Sequence, residues 1–121
     1  DEVTANRNLT SIKRGNTMRK IEQQMVEAIR SGDNWKSGNT EVRHSIVSGV
    51  KQADIYLHGH HIADCWAEVW DTFPHATPNA RTFRDWPTAT TRSRLRALGV
   101  DASIKNFQAC IDGKELGFRT L

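Results

Sequence analysis

Ala53-Asp-Ile-Tyr-Leu-His-Gly-His-His-Ile-Ala-Asp-Cys-Trp-Ala67 reads as two strands folded back on each other. Apolar and polar residues alternate from Ala53 to His58 and again from His61 to Ala67, the period of a half-buried strand. Gly59-His60 fits a two-residue hairpin turn, because a glycine in first position accepts the positive φ of type II′. In that register Leu57 faces Ile62 and Tyr56 faces Ala63. Ile55, Leu57, Ile62 and Trp66 then share one face, and Tyr56, His58, His61 and Cys65 share the other. An antiparallel sheet is therefore the expected centre of the fold.

Toward the N-terminus, Thr40–Val47 reads as the preceding strand, with Val42, His44 and Ile46 alternating against Glu41, Arg43 and Ser45. Ser48-Gly49 is the turn between them. Trp35 and the polar turn Lys36-Ser-Gly-Asn39 precede this strand. Met18–Arg30 predicts a helix, capped by Asn16 or Thr17 and ended by Gly32. Its stripe of Met18, Ile21, Met25, Ala28 and Ile29 has the width of a core-facing surface. Residues 1–17 are polar and read as a flexible N-terminal arm, leaving residues 18–121 as a single domain.

Toward the C-terminus, Val69–Phe73 continues the third strand or begins another, and Pro74–Asn79 is a loop. Arg81–Trp86 reads as a short edge strand stopped by Pro87. Thr88 or Thr90 caps a second helix through Leu98, and Gly99 suits the left-handed residue that follows a helix. Ala102–Ile111 reads as a strand, Asp112-Gly113 as a hairpin turn and Lys114–Arg119 as its return. The expected class is α+β: an N-terminal helix packed on an antiparallel sheet, a second short helix and a C-terminal β-hairpin.

With 121 residues, 37% of them hydrophobic and 26% charged, the chain has room for one modest core. No apolar run approaches the roughly 18–20 residues needed to span a bilayer, and no signal-peptide core is present. No membrane partner is expected. Cys65 and Cys110 are too few for a disulfide framework, so two buried thiols in a reducing cytoplasm are expected. The Asn8-Leu9-Thr10 acceptor pattern is read as chance.

The densest charge lies after the midpoint. Arg81, Arg84, Arg92, Arg94 and Arg96 stand against Asp85 alone, a local charge of +4 on a chain of net +3. On a helical wheel Leu95 and Leu98 dock the helix, while Arg92 and Arg96 on one flank and Arg94 on the other stay in water. Guanidinium groups make bidentate contacts to phosphate and carboxylate. With Trp86, Phe83 and Tyr56 available for stacking, this segment is the candidate surface for nucleic acid or an acidic protein. The site expected is Arg81, Arg84, Trp86, Arg92, Arg94 and Arg96.

A second cluster, His58, His61 and Cys65, has zinc-ligand chemistry but lacks a fourth ligand and any paired ligand motif. His44, His75 or Asp54 would have to complete it. No bound metal or other cofactor is expected. No Gly-x-Ser-x-Gly elbow and no phosphate-cradling Gly-x-x-x-x-Gly-Lys loop occurs, so the sequence favours a binding protein over an enzyme.

Three segments in order, Gly38-Asn-Thr-Glu-Val42, Ile55-Tyr-Leu-His-Gly-His-His-Ile-Ala63 and Trp86-Pro-Thr-Ala-Thr-Thr-Arg-Ser-Arg-Leu-Arg-Ala-Leu98, resemble a group of small proteins of tailed bacteriophages and prophages. Asn106-Phe-Gln108 is a weaker echo. In that group the hairpin reads Leu-His-Gly-Asn, and His60 stands in place of the Asn. The resemblance implies a small phage accessory protein that acts in the host cytoplasm. Direct nucleic-acid binding is the first expectation. A protein-directed inhibitor of host machinery or host defence is the second, and a metal-dependent enzyme at the histidines the third.

Overall fold

The computed structural model describes residues 18–72 and 74–118. The expected arm over 1–17, its capping residues Asn16 and Thr17, and the end of the last strand past 118 lie outside the described residues. The first helix, α1 (Lys20–Ser31), starts from Arg19 as N-cap, and the Glu22 carboxylate accepts from the Arg19 N–H at 3.3 Å. Gly32, at φ 82°, closes it in the left-handed conformation. Met25, Ala28 and Ile29 are buried as the stripe required.

Five strands follow in a meander: β1 (Trp35–Ser37), β2 (Thr40–Val47), β3 (Val50–Leu57), β4 (His60–Trp66) and β5 (Ala76–Pro78). They form one antiparallel sheet in sequence order. Ala67–Val69 is a single 3-10 turn, so the strand does not continue there, and part of the expected loop 74–79 pairs as β5. Helices α2 (Ala80–Asp85) and α3 (Ala89–Ala97) lead to a second sheet of β6 (Ala102–Lys105), β7 (Gln108–Ile111) and β8 (Lys114–Glu115). The α+β class stands. The single strand expected over Ala102–Ile111 is instead a hairpin, because Asn106 and Phe107 both take positive φ.

The central hairpin turns one residue earlier than the sequence indicated. Leu57 pairs with His60, so the turn is His58-Gly59, with φ 52° and 80°. Two positive φ values make it the type I′ pattern, whose twist matches that of the flanking strands. The register then shifts between Ile55 and Tyr56: Tyr56 opposes His61, and Ile55 opposes Ala63. Ile62 is the extra residue of a β-bulge, and every side chain beyond it changes face. Ile62, Ala63 and Cys65 become core, while Trp66 points out.

Both α2 and α3 lie between the sheets, α2 against β4 and β7, α3 against α1, β4 and β6. Arg81–Trp86 is therefore helical, not an edge strand. Asn79 explains the switch, since its Oδ1 accepts from the Thr82 N–H at 3.2 Å and caps α2. Phe83 buries its whole ring from this helix, a contribution of about 1.5–3 kcal/mol. Thr88 caps α3 by accepting from the Thr91 N–H, as expected, and Gly99 follows at φ 91°.

Candidate nucleic-acid interface

The face that α3 buries carries Thr91, Arg94, Leu95 and Leu98. Arg94 was expected in water, but it is 4% exposed. Its Nη1 donates to Glu22 Oε2 at 2.7 Å and its Nε donates to Thr40 Oγ1 at 3.0 Å. Ser93 Oγ donates to the same Glu22 oxygen. Glu22 thus caps α1 with one oxygen and anchors α3 with the other. A buried charge without a partner is strongly destabilising, so this pair ties α1, β2 and α3 into one arrangement. The sequence offered one clue to Glu22: it sits one residue beyond Ile21, at the edge of the apolar stripe.

The other four arginines remain at the surface. Arg81 and Arg96 are exposed, and Arg84 and Arg92 are half-buried. Arg84 donates through Nε to Asp85 Oδ1 at 3.0 Å. Among the described residues, Arg81, Arg92 and Arg96 lie within 4.0 Å of no carboxylate. Spaced three apart on α2, Arg81 and Arg84 line an open cleft of about 400 Å³ together with Ala80 and Leu116. Trp86, 42% exposed at the end of α2, stacks on His60 with centroids 5.5 Å apart. Phe83 is core, and Tyr56 lies on the large sheet beneath the Arg43 guanidinium, 4.4 Å from its centroid. Neither is placed to stack on a ligand in the cleft.

The bulge also separates the histidine cluster. Cys65 pairs with Ala53 on the core side, and His61 pairs with Tyr56 on the outer side. Burial pushes the Cys65 thiol up to about 12, with Asp64 and Asp54 adding to the shift. His58 is in the turn, its Nε2 3.5 Å from Asn39 Nδ2. His61, Asp54 and Asp64 are instead brought together, with ligand atoms within 4.8 Å of one another. His61 Nε2 is 3.8 Å from Asp54 and 3.7 Å from Asp64.

That trio has the donor set for a divalent cation, but Asn79 orients it otherwise. Asn79 gives its oxygen to Thr82, which turns its amide nitrogen toward His61 Nδ1 at 3.2 Å. Neutral His61 then accepts at Nδ1 and carries its proton on Nε2, facing the carboxylates. An N–H directed at the carboxylates opposes coordination through that nitrogen. Burial raises the Asp64 carboxyl; His61 opposes the shift and Asp54 adds to it.

A family model described as Kyanoviridae Gp96 protein matches residues 18–120. The chain belongs to that family and is a phage protein. No curated protein and no solved structure matches it. No helix among the described residues is long and apolar enough to cross a membrane.

Proposed function

We propose that this member of the Kyanoviridae Gp96 family acts by binding nucleic acid in the host cytoplasm, with the α2 cleft as first contact. The supporting observation is Arg81 and Arg84 side by side on one wall of an open cleft. Arg92 and Arg96 on α3 add positive charge that no carboxylate among the described residues neutralises. The planar guanidinium fork is itself pre-organised for phosphate, which limits the entropy lost per hydrogen bond formed. Arg94 has no part in this surface, since its guanidinium is buried against Glu22, whereas Arg84, though paired with Asp85, stays half-exposed. Trp86 stacks on His60 and is not among the residues that line the cleft.

An acidic surface on a host protein would satisfy the same charges, which is the inhibitor reading. A pulldown from host lysate with and without nuclease separates the two. For the nucleic-acid reading, fluorescence anisotropy with labelled oligonucleotides should show binding by wild type and at least a tenfold loss in Arg81→Ala/Arg84→Ala. A host protein retained after nuclease treatment, with no oligonucleotide binding, would replace this reading with the inhibitor.

A further inference from the structure

Four hairpins turn on two residues that both take positive φ: Ser48-Gly49, His58-Gly59, Asn106-Phe107 and Asp112-Gly113. Three of them place glycine second, the residue that bears this backbone at no steric penalty. The fourth places Phe107 there, at φ 65°. A bulky side chain in the left-handed region is strained. Phe107 is also 90% exposed, so no packing within the fold offsets that strain. A turn selected for stability alone would carry glycine at 107.

The location of this tip connects it to the arginine cleft. Cys110 pairs with Glu115, and the Leu116 N–H donates to the Ala109 carbonyl. Gly117, at φ 87°, breaks the extended chain after Leu116, and β7, which follows Phe107, packs against α2, the helix that carries Arg81 and Arg84. Leu116, hydrogen-bonded to Ala109 of β7, lines the cleft with Arg81 and Arg84. Lys105 is exposed beside the turn. An exposed aromatic ring thus stands at the start of the strand that packs against the arginine-bearing helix α2.

We propose that Phe107 is a stacking platform for unpaired bases, making single-stranded nucleic acid the preferred ligand. This rests on the cleft reading above. Bases in a duplex already cover each other's faces, whereas a single strand can offer a base to an aromatic ring while its phosphates meet arginines.

The test uses the full chain with labelled oligo-dT and a blunt duplex, for wild type, Phe107→Gly, Phe107→Trp and Arg81→Ala/Arg84→Ala. Phe107→Gly should raise the Tm by a few degrees, because the strain is relieved. It should also weaken oligo-dT binding about tenfold and leave duplex binding unchanged. Phe107→Trp should keep single-strand affinity, and the arginine pair should weaken both ligands. Phe107→Gly binding oligo-dT as wild type does would overturn the platform while the cleft reading stands. Failure of wild type to bind either ligand would remove the cleft reading and this proposal with it.

Discussion

Arg94 and Arg96 are two residues apart on one helix and face opposite environments. Arg94 sits in a buried ion pair with Glu22, and Arg96 is exposed. Arg94→Ala should therefore cost about 3–5 kcal/mol in a urea melt, because it strands the Glu22 carboxylate. Arg96→Ala should cost under about 0.5 kcal/mol. Similar losses for the two would contradict the burial assigned here. Sequence alone placed the arginines on α3 but not their partners, since Glu22 lies 72 residues from Arg94 and no local period links them. His44 makes a second residue-scale case. Both its ring nitrogens are buried without a hydrogen-bond partner among the described residues. Burial holds its imidazole below the ordinary range. The unfolded chain then takes up this proton first, so stability falls as pH drops below about 6.5. Subtracting the pH–stability curve of His44→Leu from that of wild type should isolate this fall. Superimposable slopes would remove His44 from the account.

Elements were legible where one local rule governed them. Thr40–Val47 is the strand its alternation indicated, and Thr88 is the cap of α3. The errors came where two rules competed. Gly59 can stand first in a type II′ turn or second in a type I′ turn, and only the partner strand decides. His58 at φ 52° adopts the second solution, and the bulge at Ile62 then buries Ala63 and Cys65. That single shift dissolved the expected His58, His61 and Cys65 face. Arg81–Trp86 was misread because six residues are too short to show a helical period, and Asn79 as a cap was the signal available. Gly59 makes a direct check of the turn. A Cβ there would meet nothing within 4 Å, so Gly59→Val should lose stability through backbone strain alone, about 1–2 kcal/mol. An unchanged denaturation midpoint would contradict the turn as described.

At the scale of the molecule, two sheets hold α2 and α3 between them, and this arrangement sorts the arginines. Arg94 faces inward and meets Glu22, while Arg81 and Arg84 line the α2 cleft and Arg96 is exposed. The net charge of +3 is modest, so binding to a polyanion depends on where the charge sits. Composition could not have located it, because the cleft is completed by Leu116 from the far end of the chain. Each arginine–phosphate contact releases condensed counterions, so affinity falls with a salt slope of about 0.7–0.9 per contact. The most direct measurement is therefore the slope of log affinity against log salt for oligonucleotide binding, in wild type and in Arg81→Ala/Arg84→Ala. The cleft account predicts that the double variant keeps the wild-type melting profile and loses a slope of about 1.4–1.8. A folded double variant with wild-type affinity and wild-type slope would contradict it.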